Sequence, residues 1–366
     1  MSGFVAVHVG AGYHADNLRP LYKKTCKNAC KVAVQLLQDQ CNAVEAVSAA
    51  VAVLEDCPLT NAGIGSNLSI TGSVECDAGI MDGASLNFGS VGALCNIKNP
   101  IKVAQNVLEE QNRGLLSHGR IPPCILVGSG ALEWAKEHGF CEIDQKQLST
   151  EVSRAVYLKN KSLLKKVIPS EPKSNFISDT LEQRSFGEST LLDTVGAVCV
   201  DAFGNVSSAV SSGGLLLKHC GRIGQASVYG SGCWAENSLS TEKPSIACSA
   251  TGVGEYLIKT VFAKECCQML CDNANSLTAL PDVFRKKFLD SPYIRTVGQK
   301  LAGVLVLKSY SDEGYCELGW AHTTKTMILG YMNVNGKKPF AVVCAQPEGS
   351  RYGESIVGSE KCFKLS

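Results

Sequence analysis

The chain has 366 residues, 45% hydrophobic and 19% charged, which is enough apolar side chain to bury a large core. Its formal net charge of +1 supplies no field to gather nucleic acid or an anionic membrane surface, and no apolar run reaches the roughly 18 residues that a spanning helix needs. Eighteen cysteines and six histidines are scattered without the clustering of a disulfide framework. Cys26/Cys30 and Cys267/Cys271 are spaced by four, but neither pair has histidines nearby to complete the four ligands of a zinc site. The cysteines read as small hydrophobes of a reducing compartment, and no metal site is expected of them.

From the N-terminus, Met1 to Val7 lacks the basic region and cleavage site of a signal peptide and reads as a first strand. Leu21–Gln38 and Asn42–Leu54 carry the helical period of apolar residues, as do Ile101–Gln111 and Gly130–His138. From Tyr157 to Asn175 the chain holds Lys159, Lys161, Lys165, Lys166 and Lys173 with Pro169 and Pro172, and reads as a solvated, flexible segment within a basic stretch of about residues 140–190. Ser185 to Leu192 continues as loop. At Asp193-Thr194-Val195-Gly196 the pattern changes abruptly: Thr194–Val200 is small, β-branched and apolar, turns at Asp201–Asn205, and returns as a strand from Val206 to Ser211. A helix is expected over Glu255–Cys271, then strands at Ala302–Leu307, Tyr315–Ala321 and Met327–Asn333.

A Thr that opens a buried strand behind a loop is where an N-terminal nucleophile would sit. Breaking the bond before Thr194 would free its α-amine, whose pKa of about 7.7–8.0 suits it to take the proton of its own hydroxyl. Alone, Asp-Thr-Val-Gly is a weak motif and reads first as a turn residue followed by an ordinary strand. Other motifs accompany it: His8-Val9-Gly10-Ala11-Gly12, Asp56–Asn67 (DCPLTNAGIGSN), Glu75–Gly83 (ECDAGIMDG), Ser85–Gly89, Ser211-Ser212-Gly213-Gly214, Gly221–Gln225, Tyr229–Ala235 and Ser249–Glu255. Together and in this order they resemble the type 2 asparaginase and glycosylasparaginase family of N-terminal nucleophile (Ntn) hydrolases, within it most of all the threonine aspartase (taspase) branch. Val9 replaces a family glycine, and only about residues 140–190 are unlike the asparaginases.

The resemblance implies an α/β fold, a four-layer αββα sandwich of two stacked, mainly antiparallel sheets. It implies a single domain over 1–366 that cuts itself between Asp193 and Thr194 into an α subunit, 1–193, and a β subunit, 194–366, with the αβ unit pairing into a dimer of heterodimers. Thr194 is then the nucleophile. Ser212 matches the second hydroxyl beside it, and Thr251 and Gly252 match the oxyanion pair. Read without the family, Ser212 is a turn hydroxyl and Thr251-Gly252 a helix N-cap with a flexible glycine. Arg222 matches the clamp for the substrate carboxylate, a task that suits a planar guanidinium; unaided, it reads as a solvated loop residue. Three residues on, asparaginases carry an Asp that holds the substrate's α-ammonium, whereas this chain has Gln225. A neutral amide suits an acylated peptide nitrogen, so the expectation is a threonine endopeptidase cleaving after Asp, with an L-asparaginase or isoaspartyl peptidase as the alternative. An uncleaved, non-catalytic binding protein is a reading from another class, opposed by the joint presence of Thr194, Ser212, Arg222 and Thr251. The resemblance further implies protein substrates among nuclear regulators, such as trithorax-type methyltransferases and transcription factor IIA, a location in nucleus and cytoplasm, and no organic cofactor. The basic segment is a candidate nuclear-import patch.

Overall fold

The first strand, β1 (Phe4–Gly12), is buried along its whole length and feeds two different cores. Val5, Val7 and Val9 point to one side, among Cys26, Ala29, Ala33, Val47 and Val51. Phe4 and Ala6 point to the other, among Ala250, Val304 and Val306. A strand covered on both faces reads as a continuous apolar run, as this one does. The computed structural model describes residues 2–167, 194–240, 243–272 and 277–365.

The remaining elements follow along the chain. Helices α1 (Arg19–Gln38) and α2 (Ala43–Glu55) lead to strands β2 (Cys76–Asp82) and β3 (Phe88–Leu94) and helix α3 (Pro100–Asn112). Strand β4 (Ile125–Val127) and helices α4 (Gly128–Glu137), α5 (Gln145–Leu148) and α6 (Glu151–Val167) complete the described part of the first half. The second half opens with β5 (Val195–Val200), β6 (Val206–Ser212), β7 (Cys233–Glu236) and β8 (Ser245–Gly252). Helices α7 (Gly254–Thr260), α8 (Phe262–Asp272) and α9 (Leu280–Phe284) follow, then β9 (Ala302–Tyr310), β10 (Tyr315–His322), β11 (Thr326–Asn333), β12 (Phe340–Ala345) and β13 (Val357–Lys364).

Two sheets result, of order β12-β11-β1-β5-β6-β2-β3-β4 and β13-β10-β9-β8-β7. All described pairings are antiparallel except β3 with β4. Helices α1, α2 and α3 cover the outer face of the larger sheet, and α8 and α9 pack on the smaller. The four-layer αββα sandwich is therefore present. Among the described residues no helix is long and apolar enough to cross a membrane.

Local chemistry explains several boundaries. Asn42 caps α2 with a complete capping box, its side chain accepting from Glu45 N while Glu45 reaches back to Asn42 N. Pro20 and Pro100 sit in the first turns of α1 and α3, where a missing N–H costs nothing. The solvated segment expected from Tyr157 is instead helical as far as Val167. Lys and Leu are good helix formers, and Ser153, Tyr157 and Asn160 recur at i, i+4 and i+7 as the buried face. Tyr157 packs with Leu68, Val74 and Leu148. The rest of that segment, with Lys173, and residue Asp193 lie outside the described residues. The single helix expected over Glu255–Cys271 is broken at Val261, whose φ of 45° is left-handed and ends α7.

Candidate active site

Thr194 immediately precedes β5 and is buried. The antiparallel register of β5 on β6 pairs Val195 with Ser211, which sets Thr194 against Ser212 at the end of the neighbouring strand. The Thr194 hydroxyl donates to Ser212 Oγ at 3.0 Å. Ser212 Oγ in turn accepts from Gly214 N, also at 3.0 Å. Gln225, buried at the start of a one-turn 3-10 helix, donates from Nε2 to Thr194 Oγ1 over a long 3.4 Å. These residues line one narrow cleft with Asn61, Leu215, Arg222, Gly252 and Gly254.

The expected residues thus converge, with one difference in placement. Gly252 lines the cleft, and its φ of 144° and tight approach to Leu301 O require glycine. Thr251 is fully buried in β8 opposite Gly303, its Oγ1 accepts from Ala11 N at 3.3 Å, and it is not among the lining residues. Arg222 turns its Nε and Nη2 to Glu255, at 2.8 and 2.7 Å from the two carboxylate oxygens. Burial pushes the Glu255 carboxyl up, but the hydrogen bonds and charge of Arg222 outweigh it and hold the group below the usual range.

A supporting shell lies around these residues, and none of it was singled out from the sequence. Asn61 and Asn67 both donate to Gly214 O, at 2.8 and 2.9 Å, and Gly213 N donates to Asn61 O at 2.7 Å. A Cβ on Gly213 would stand 2.4 Å from Asn61 Oδ1, so this corner accepts only glycine. The loop bearing Arg222 and Gln225 is tied to the acidic segment before and within β2. Lys218 Nζ donates to Glu75 O at 2.6 Å, Gly221 N to Glu75 Oε2 at 2.8 Å, and Gly224 N to Asp77 Oδ2 at 2.7 Å. Asp77 also accepts from Ala93 N, and burial raises its pKa even with Lys218 close by.

Beneath the start of β5, His8 Nε2 lies 2.9 Å from Ser249 Oγ, and Nδ1 accepts from Gly10 N. The neutral ring therefore carries its proton on Nε2. Burial drives its pKa down to about 3, opposed by a hydrogen bond to the Thr194 backbone. On the far side of the sheet, Glu55 accepts from Ser211 Oγ at 2.6 Å and from Ile101 N at 3.0 Å. Burial raises its pKa to about 8. The position of a single charged letter far along the chain from its partner leaves no periodic trace in a sequence, though Glu55, Glu75, Asp77 and Asn61 all fall in or beside the recognised motifs.

Among the described residues no group of three or more His, Cys, Asp or Glu is placed to hold a metal ion. Cys26, Cys30 and Cys267 are buried, and burial pushes their thiols up, away from the thiolate that binds metals.

The sequence profile of the type 2 asparaginase family, described as asparaginase, matches residues 1–342. An isoaspartyl peptidase/L-asparaginase of Xenopus laevis is 38% identical over 264 residues, 72% of this chain and 74% of that protein. The Homo sapiens protein of the same name is 36% identical over 265 residues, covering 72% and 75%. An isoaspartyl peptidase of Salmonella typhimurium is 32% identical over 266 residues, covering 71% and 76%. These names are those of asparaginases and isoaspartyl peptidases rather than of the threonine aspartase branch. With the Thr194–Ser212 pair at the mouth of a two-sheet sandwich, they establish that the chain belongs to the type 2 asparaginase family of Ntn hydrolases.

Proposed function

We propose that the protein is a threonine endopeptidase that cuts its own chain between Asp193 and Thr194 and then cleaves proteins after Asp. In maturation Thr194 Oγ attacks the Asp193 carbonyl carbon, the C–N bond breaks, and the nitrogen leaves as the α-amine of Thr194 carrying the hydroxyl proton. The resulting ester is hydrolysed by water. In turnover the freed amine accepts the Thr194 hydroxyl proton as the oxygen attacks the substrate carbonyl, and the acyl-enzyme is again released by water. Ser212 Oγ, at 3.0 Å, orients the nucleophile, and Gly252 N–H, which lines the cleft, stabilises the oxyanion, such a donor being worth about 2.7–4 kcal/mol of barrier. Thr251 is buried behind it and supports the strand that presents it.

One observation carries the choice of substrate. Where asparaginases hold an α-ammonium, the group facing Thr194 is the neutral amide of Gln225, and none of the residues lining the cleft is acidic. A free ammonium brought here would lose water without gaining a counter-charge, whereas an acylated peptide nitrogen is neutral and needs only a hydrogen bond. The side-chain carboxylate of the residue before the cut would then meet Arg222. The second reading, an isoaspartyl peptidase or L-asparaginase, rests on the names of the relatives. By resemblance, the reading extends to nuclear regulators such as trithorax-type methyltransferases and transcription factor IIA, to nucleus and cytoplasm, and to paired αβ heterodimers. Kinetics on an internal X-Asp-Gly peptide beside free L-Asn and a β-Asp dipeptide test it. The peptide should be cleaved and the small substrates left nearly untouched; preference for free Asn would transfer the assignment to the second reading.

A further inference from the structure

The guanidinium of Arg222 has five N–H donors on two bidentate edges. Glu255 takes one edge: Nε and Nη2 donate to its two oxygens at 2.8 and 2.7 Å. The Nη1 group makes no hydrogen bond within the protein among the described residues, although the side chain is only 15% exposed. Three glycines make room for the group. A Cβ on Gly214 or Gly224 would stand 2.9 or 3.0 Å from Nη1, and one on Gly254 would stand 2.6 Å from Nη2 and 3.0 Å from Gln225 Oε1. Gly214 and Gly254 both line the cleft of Thr194, so the unused Nη1–Nη2 edge lies against glycines at the site of reaction, with Lys218 Nζ beside the Gly214 position at 3.1 Å and Asp77 Oδ2 beside the Gly224 position at 3.3 Å.

We propose that Glu255 is the positioning residue of the substrate clamp: it permanently occupies the Nε–Nη2 edge of Arg222 as a built-in carboxylate and thereby presents the Nη1–Nη2 edge, in a fixed plane, to the carboxylate of the substrate. This rests on the reading of Arg222 as the carboxylate clamp, but not on whether the substrate is a peptide or a free amino acid. A long, flexible side chain left alone would sample many rotamers, and only one plane allows two parallel hydrogen bonds to a carboxylate. The inner pair fixes that plane before substrate arrives, lowering the ordering cost of binding. The second carboxylate also cancels the charge of Arg222, so recognition depends on the geometry of the fork more than on attraction at a distance. Glu255 opens the first turn of α7, where the helix dipole favours an anion, and that placement makes it a stable partner.

The test uses Glu255→Ala and Glu255→Gln in the full chain, each checked by mass spectrometry for the same fragments as wild type and by thermal melting. KM and kcat are measured on the Asp peptide and on free L-Asn, using whichever the wild type turns over. Glu255→Ala should raise KM about tenfold, equal to about 1.4 kcal/mol, with kcat changed less than threefold. It should also narrow the preference for an Asp over an Asn peptide. Glu255→Gln keeps one acceptor and should fall between the two. Should Glu255→Ala leave KM unchanged or lower it, the carboxylate is a competitor or a bystander and the proposal is wrong; the Gln variant decides the point in the same way if the Ala variant does not fold. A wild type that turns over Asn but not the peptide removes the endopeptidase reading while the Glu255 effect is still read on Asn. A correctly cut chain that turns over neither contradicts both.

Discussion

Gly196 lies two residues beyond Thr194, at the point where β5 crosses the buried histidine. A Cβ there would stand 2.0 Å from Ser249 Oγ, 2.5 Å from His8 Nε2 and 2.9 Å from Ala209 O. Those two side chains are themselves joined at 2.9 Å, and Ser249 also donates to Ala209 O at 3.2 Å. Gly196→Ala must therefore push Ser249 aside. Overpacking of this kind costs about 1–3 kcal/mol, and loss of Ser249 as a partner of the buried imidazole costs about another 1–3 kcal/mol. The expected loss of roughly 2–6 kcal/mol is a large part of an ordinary domain's stability of about 5–15 kcal/mol. Urea unfolding measures it, in a Thr194→Ala background so that the chain remains one piece, with the midpoint falling at constant slope. Ser249→Ala removes the obstructing oxygen, so the double variant should be destabilised by less than the sum of the two singles, with a coupling of about 1 kcal/mol or more. A Gly196→Ala protein within about 0.5 kcal/mol of its parent, the range of neutral surface changes, would refute the packing argument, as would strict additivity with Ser249→Ala.

Other outcomes follow from the same structure. His8, His14 and His322 are held by burial to pKa values of about 3, 4 and 4, against 6.5 for the free side chain, so the unfolded chain binds more protons below pH 6.5. Their contribution to stability is complete above that pH and is lost as pH falls towards 4, which denaturant midpoints across pH 4–7 should record. Glu55 has the opposite sign: at a pKa of about 8 against 4.5, the folded protein keeps a proton that the unfolded chain releases, so stability falls as pH rises from 4.5 to 8. Glu55→Gln should remove that alkaline loss in the same titration. Ser212→Ala deletes the hydroxyl 3.0 Å from Thr194 Oγ1 and should lower kcat at least tenfold with a smaller change in KM, measured on the Asp peptide. Gly254→Ala, whose methyl would meet Arg222 and Gln225 at once, should cost substrate binding more than thermal stability, a contrast read from KM and melting temperature together.

What the sequence made legible was local. The valine alternation of Thr194–Val200, its turn and the return strand gave the central hairpin, which the structure extends by one residue to Ser212. The amphipathic periods placed α1–α4 to within two residues at most ends. Strands β2, β3, β7 and β8 were hidden because they run through glycine- and serine-rich motifs in which no alternation stands out; their partners lie far along the chain. Helix α6 was hidden for the opposite reason, since its lysines describe its solvent face while only Ser153, Tyr157 and Asn160 betray the buried one. Within the site, Thr194, Ser212, Arg222, Gln225 and Gly252 were reachable through resemblance, and the structure gathers them at one cleft. The groups that hold them there, Asn61, Glu75, Asp77, Lys218 and Glu255, act through tertiary hydrogen bonds that no spacing rule encodes.

Intact mass spectrometry of the purified protein is the decisive measurement, because everything assigned to Thr194 depends on its becoming an N-terminal residue. Wild type should give two masses, corresponding to residues 1–193 and 194–366, the second beginning at Thr194, and Thr194→Ala should give one mass for the whole chain. A wild type that remains a single 366-residue species, or a Thr194→Ala protein cut at the same bond, would show that Thr194 does not release itself as the nucleophile.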